Sequence, residues 1–173
     1  MTHENLRTLI RDVPGFPRPG VIFKDITPLL EEPAAFAYAV KALAARIAPA
    51  EACGILAVES RGFLFGAGVA LELGLPLHLL RKRGKLPRES VAVTYQLEYG
   101  EDRLELHADV ISPGSRYTVV DDLIATGGTA AAAVELVERQ HGTVACCAFL
   151  IELAFLDGRA RLDGRTVESL IVY

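Results

Sequence analysis

Apolar residues recur along this chain in two rhythms, and the rhythms alternate. Leu6, Leu9 and Ile10 stand at i, i+3 and i+4, which predicts a short amphipathic helix over 4–12. Residues 14–20 hold three prolines and two glycines, so no helix continues there, and 21–26 reads as a short strand. Pro33 opens an Ala-rich stretch that predicts a helix to 47, and a second helix is expected over 63–73, closed by Gly74. Between them 54–58 is a continuous apolar run, as in a strand covered on both faces. Further strands are expected at 77–80, 117–121, 144–153 and 167–173, with a helix from 127 to 140 and a single helical turn near 157–162. Residues 91–97 and 103–106 predict a hairpin turning at 99–102. Strands alternating with helices make an α/β protein, with a mainly parallel open sheet flanked by helices. The Pro-rich start is unlike the rest. It divides the chain into an N-terminal hood, 1–32, and a core, 33–173, with a mobile loop near 84–99.

Composition narrows the class. A chain of 173 residues, 51% hydrophobic and 23% charged, suits one domain with a full core. Its formal net charge of -4 speaks against a nucleic-acid surface. No apolar run reaches the ~20 residues that span a bilayer, and the N-terminus has no signal-like pattern, so a cytoplasmic protein is expected. Cys146 and Cys147 lie in an apolar run and read as buried thiols, and with Cys53 they form no CxxC. His3, His78, His107 and His141 show no metal-ligand spacing.

Ligands of such sheets bind at the carboxyl ends of the strands. Three segments are expected there: Glu59-Ser60-Arg61-Gly62, Arg81-Lys82-Arg83, and the run from Asp121 to Thr129. In the third, Thr126, Gly127, Gly128 and Thr129 offer successive backbone N–H groups and two hydroxyls at a helix N-terminus, which suits a phosphate monoester. There is no Lys in the turn as in a Walker loop, and the acids precede the glycines, unlike a dinucleotide fingerprint. Asp121 and Asp122 can accept hydrogen bonds from a vicinal diol. In a continuing strand they point to opposite faces, so both reach one ligand only if the strand ends between them and the turn. A ribose 5-phosphate fits this pairing of acids and nest; a solvated acidic turn before a helix is the plainer alternative.

The run Val119-Val120-Asp121-Asp122-Leu123-Ile124-Ala125-Thr126-Gly127-Gly128-Thr129 resembles the phosphoribosyl-diphosphate motif of the type I phosphoribosyltransferases. Phe16-Pro17-Arg18-Pro19-Gly20-Val21-Ile22-Phe23-Lys24-Asp25-Ile26, Glu59-Ser60-Arg61-Gly62-Phe63-Leu64-Phe65-Gly66, and Arg81-Lys82-Arg83-Gly84-Lys85-Leu86-Pro87 with Leu97-Glu98-Tyr99-Gly100 narrow it to the members that use adenine. The resemblance runs from about residue 12 to the last strand. It departs at Glu59, where Asp is frequent. It implies adenine and phosphoribosyl diphosphate with Mg²⁺ as substrates, AMP and diphosphate as products, and a homodimer. It implies Ala125, Thr126, Gly127, Gly128 and Thr129 on the 5-phosphate and Asp121 and Asp122 on the ribose hydroxyls. Ser60, Arg61, Arg81, Lys82 and Lys85 would meet the diphosphate, from within the chain or across a dimer. Phe23 would stack on the base while the backbone of Ile22 and Lys24 reads its edge. Glu98 would act as acid and base, and the Glu59–Ser60 peptide would be cis. Mg²⁺ would be held mainly by substrate oxygens and water. The same fold acting on a 6-oxo purine, or a non-catalytic sensor of phosphoribosyl diphosphate, are the rival expectations.

Overall fold

A computed structural model describes residues 2–97 and 100–173. The chain begins with α1 (His3–Thr8), capped by the Thr2 hydroxyl, which accepts from the Asn5 N–H. It continues through β1 (Arg11–Pro14), β2 (Ile22–Asp25), α2 (Thr27–Glu31) and α3 (Pro33–Ile47). The helix expected over 4–12 therefore stops early. Arg11 and Asp12 are drawn instead into an antiparallel pairing with Asp25 and Lys24. α2 was not anticipated; Pro28 in its first turn suits a helix start.

The core is a seven-stranded sheet in the order β5-β6-β4-β3-β7-β8-β9. Its strands are β3 (Gly54–Val58), β4 (Leu77–Lys82), β5 (Ser90–Leu97), β6 (Gly100–His107), β7 (Arg116–Ile124), β8 (Thr143–Glu152) and β9 (Thr166–Val172). β4, β3, β7, β8 and β9 run parallel, and the β5–β6 hairpin adds antiparallel to β4. β3 is buried at every position, as its unbroken apolar run predicts. α4 (Gly62–Leu73) follows β3 and ends at Gly74 with φ 65°, where a left-handed residue closes the helix. α5 (Gly128–Glu138) follows β7.

Helices cover both faces. One core cluster joins α3 and α4 to Ile55, Val120, Ala148 and Leu150. The other joins α5 to Leu56, Val119, Cys147 and Phe149. Alternation along β7 thus sends Val120 to one cluster and Val119 to the other, the period of two expected of a strand buried on both sides. Cys146 and Cys147 are buried, and burial pushes both thiols up to about 12. No helix among the described residues is long and apolar enough to cross a membrane.

Two strands run further than their apolar residues suggest. β4 extends through Arg81 and Lys82 because these pair with Glu105 and Leu104 of β6. β7 extends through both aspartates to Ile124 because β8 stays in register beside it as far as Glu152. The hairpin is also longer than expected, with Leu97 opposite Gly100. Of the stretch 84–99, residues 90–97 form β5, and among the described residues only 84–89 lie outside a strand.

Leu43 of α3 has no solvent exposure and packs in the α3–α4 cluster. Leu43→Ala is expected to lower the unfolding free energy by about 2–5 kcal/mol, the usual cost of such a cavity, as read by urea denaturation.

Candidate active site

The turn after β7 owes its shape to a contact between backbones. Gly127 has φ 80°, a left-handed conformation, and a Cβ there would strike the carbonyl oxygen of Gly158. Gly158 in turn lies so close to the Ala125 carbonyl that it has no room for a Cβ either. The short 3₁₀ segment Gly158–Leu162 is fixed from beneath. Arg159 forks onto Glu152 at 2.6 and 2.7 Å and donates to the Val167 carbonyl at 2.8 Å, while Leu162 is buried. The fork lowers the Glu152 carboxyl from its ordinary value against the opposing effect of burial. So braced, the turn opens into α5, whose first turn carries no acid. Asp121, residues 123–130 and Phe149 line a cavity of about 190 Å³ at this helix N-terminus.

The aspartates are divided. Because β7 continues past them, the strand end that would bring both carboxylates to one ligand is absent. Asp121 lines the cavity of the turn, and one of its oxygens accepts from the Asp122 N–H at 2.8 Å. Asp122 instead lies 3.0 Å from the Arg61 guanidinium. Burial pushes both carboxyls up, and each also feels the other. For Asp121 the Asp122 charge adds to the rise, whereas Arg61 tempers the rise at Asp122. One Asp122 oxygen is buried with no hydrogen bond, since the Arg61 contact has ion-pair distance without hydrogen-bond geometry.

A second cavity, about 330 Å³, lies under the hood and shares Leu123, Ala125 and Thr126 with the first. Ile22, Phe23 and Lys24 form one side and Arg61 another. The Arg61 guanidinium sits 4.7 Å from the Phe23 ring centroid and donates to the Lys24 carbonyl at 3.4 Å. Phe23 is also held edge-on by Phe16 at 5.0 Å. The Lys24 ammonium pairs with Asp12 at 2.6 Å and lies 3.7 Å from the Tyr173 ring centroid, so its side chain is engaged elsewhere. Leu123, Leu153 and Leu156 supply apolar lining that the sequence reading did not single out. Leu153 and Leu156 come from the end of β8 and the short helix after it, and no local motif marks them.

The other basic residues gather beside β3 and β4. The Glu59–Ser60 peptide is cis. One Glu59 oxygen accepts from Arg81 Nε at 3.0 Å and from the Lys82 N–H at 2.8 Å. These bonds outweigh burial and hold the Glu59 carboxyl below its ordinary value. The Lys82 ammonium binds Asp102 and the Tyr95 hydroxyl; burial opposes its charge, and these partners nonetheless raise its affinity for a proton. Glu105, buried on β6, accepts from the Gly84 N–H at 3.0 Å and so holds the turn that leads to Lys85. Tyr95 also reaches Thr129 at 3.2 Å, tying the hairpin to the start of α5. Glu98 lies outside the described residues. Arg61 is thus brought against Phe23 and Lys24 of the hood, while Arg81 and Lys82 gather on Glu59, the residue before Ser60, with Lys85 on the turn after them. No cluster of three or more His, Cys, Asp or Glu suited to a metal occurs among the described residues.

Comparison with known proteins gives three findings that agree. Residues 29–165 match the model of the phosphoribosyl transferase domain. A relative from Nitrosococcus oceani named adenine phosphoribosyltransferase is 54% identical over 170 residues, covering 98% of this chain and 99% of that one. The crystal structure of adenine phosphoribosyltransferase from Thermoanaerobacter pseudethanolicus superposes with a TM-score of 0.97 at 48% identity, covering 99% and 100% of the two chains. That of the Saccharomyces cerevisiae enzyme, complexed with adenine and an imino-altritol bisphosphate, gives 0.92 at 40% identity with 97% of each chain covered.

Gly127→Ala adds both backbone strain and a collision with Gly158, whereas Gly164, with φ 76°, has open space around its Cβ position. Gly164→Ala is expected to cost about 1 kcal/mol of stability and Gly127→Ala clearly more, measured side by side by thermal denaturation.

Proposed function

Since the chain belongs to the phosphoribosyltransferase family, and within it to the adenine phosphoribosyltransferases, we propose how its residues share the reaction. That reaction transfers 5-phosphoribosyl from phosphoribosyl diphosphate to adenine and yields AMP and diphosphate, a step of purine salvage. The observation that carries the division of labour is the junction of two cavities at Ala125 and Thr126, one walled by an aromatic ring and the other by a glycine turn at a helix N-terminus.

Adenine enters the larger cavity. Phe23 stacks on it, and the backbone of Ile22 and Lys24 offers one donor and one acceptor per residue, a match for the 6-amino group and N1. A 6-oxo purine reverses that pattern and leaves polar groups unpaired, which selects against it by orders of magnitude. The 5-phosphate sits on Ala125 to Thr129, where N–H groups and the helix dipole meet its charge. A ribose at the junction of the two cavities meets one acid from each side rather than both at a strand end: one hydroxyl donates to Asp121, which lines the first cavity, and another to Asp122, which lies beside Arg61 of the second. To reach Asp122 the sugar competes with Arg61, and the buried Asp122 oxygen without a hydrogen bond supports this use. Arg61, released from part of that pairing, and Ser60 turn to the diphosphate together with Arg81, Lys82 and Lys85.

As the bond from the anomeric carbon to diphosphate lengthens, positive charge gathers on the ring carbon and oxygen, while N9 of adenine attacks the same carbon. Glu98 takes the proton that adenine loses, directly or through water. Closure of the segment near 84–99 keeps out the water that would otherwise capture the cation. Mg²⁺, where bound, would come with phosphoribosyl diphosphate and be held mainly by its oxygens and water. The donors present fit that arrangement, since Asp121 and Asp122 are hard oxygen ligands but stand on opposite faces and form no cage. Bound there, the ion would offset diphosphate charge. The expected setting is a cytoplasmic homodimer without nucleic acid or membrane. Exposed Leu64 and Leu71 on α4 and Leu77 and Leu79 on β4 support the pairing of subunits.

Diphosphate release with phosphoribosyl diphosphate and Mg²⁺ is expected to be brisk with adenine and slight with hypoxanthine, guanine or xanthine; a preference for any 6-oxo purine would overturn the base assignment. Asp122→Asn should leave the fold intact and weaken AMP binding about tenfold or more, the loss of one charge-assisted hydrogen bond. Calorimetric titration with AMP measures it, and unchanged affinity would remove Asp122 from the sugar site.

A further inference from the structure

We propose that Arg161 is a further binding residue for the 5-phosphate, reaching the turn from the segment that braces it. The inference rests on residues 125–129 being the phosphate turn. The position of the side chain carries it. Arg161 Nη1 lies 3.9 Å from where a Cβ of Gly128 would stand, so the guanidinium rests on the first residue of α5. A helix N-terminus bears a partial positive charge, and a cation there is unfavourable until an anion joins it. Among the described residues nothing supplies that anion. The first turn of α5 has no acid, and the Arg161 guanidinium has no hydrogen bond or ion pair among the described residues. Asp121, the acid that lines the adjoining cavity, is pushed well up by burial and by Asp122.

The stem of Arg161 is held although its head has no partner among the described residues. On one side Arg159 is locked to Glu152 and to the Val167 carbonyl; on the other Leu162 is buried. The segment that carries Arg161 starts at Gly158, which is the same residue that presses on Gly127. The turn and the arginine are therefore fixed relative to each other by one backbone contact. A phosphate monoester on the turn has oxygens left over after the N–H groups and the Thr126 and Thr129 hydroxyls are used. A guanidinium with five donors in a planar fork suits those oxygens. Arg161 is exposed, so it can meet the ligand without the loss of a buried partner.

The test compares AMP with adenosine, which differ by the phosphate alone, in titrations of the wild-type protein, Arg161→Ala, Arg161→Lys and Thr126→Ala. Arg161→Ala is expected to weaken AMP about tenfold, to leave adenosine within about twofold, and to raise the KM for phosphoribosyl diphosphate while that for adenine stays put. Arg161→Lys should recover part of the loss, since a point charge replaces the fork. If Thr126→Ala weakens AMP but Arg161→Ala does not, the turn holds the phosphate and Arg161 has no part in it. If Arg161→Ala weakens AMP and adenosine alike, its role is in shaping the site and the proposal fails. If neither variant distinguishes AMP from adenosine, the phosphate turn itself is misassigned, and the proposal falls with it.

Discussion

The contact between Gly127 and Gly158 sets the geometry on which the rest of the site depends. Two backbones meet where neither can bear a Cβ. That closeness gives the turn its left-handed residue, starts α5 at Gly128, and leaves Ala125 and Thr126 exposed to both cavities. It also recruits a distant segment. Gly158 is held by the Glu152–Arg159 fork, and Glu152 is the last residue of β8, which pairs with β7 up to Ile124. The turn is thus anchored at one end by its own strand and from behind by the strand beside it. Side chains do little of this work; the precision comes from how closely bare backbone packs.

A second constraint joins hood to core. Arg61 lies at the N-cap of α4 and touches the Phe23 ring, the Lys24 carbonyl and Asp122 at once. One side chain therefore links the wall of the larger cavity to an acid of β7. A ligand that draws Asp122 away from Arg61 also changes what faces Phe23, so the proposed sugar and base places are not independent. Burial of Asp122 strengthens the coupling, while the half-buried Arg61 keeps part of its contact with water.

Where an element's identity follows from its own residues, it could be read directly. The unbroken run of β3, the Ala-rich α3 behind Pro33, and α4 closed by Gly74 all carry local reasons for their form. Strand ends did not. Arg81, Lys82 and Asp122 look like loop residues because they are polar, yet β6 and β8 lie beside them and keep the ladder going. Ile10 sits in helical register with Leu6, but Arg11 is taken by Asp25 of β2, a partner that no periodicity reveals. The glycine turn was legible because its chemistry is consecutive. Leu153, Leu156 and Gly158 were not, since they reach the site only through the path of β8; an Asp157–Gly158 pair signals a turn but not what the turn presses against.

The charge balance follows from these placements. An acidic chain is asked to bind a strongly anionic substrate, and it meets the difficulty with internal counterions. Arg61 is paired with Asp122, Arg81 with Glu59, Lys82 with Asp102 and Arg103 with Glu105. Without ligand each of these four cations is matched by a carboxylate. On the proposed assignment a diphosphate displaces or shares carboxylates rather than simply filling a positive pocket, so the net electrostatic gain is a difference between two sets of pairs. Such exchange favours a ligand whose charges match the spacing of these cations over one that is merely anionic. It also explains why the acids of β6, which touch no ligand in this scheme, matter to the site: Asp102 and Glu105 set the resting positions of Lys82 and of the turn at Gly84.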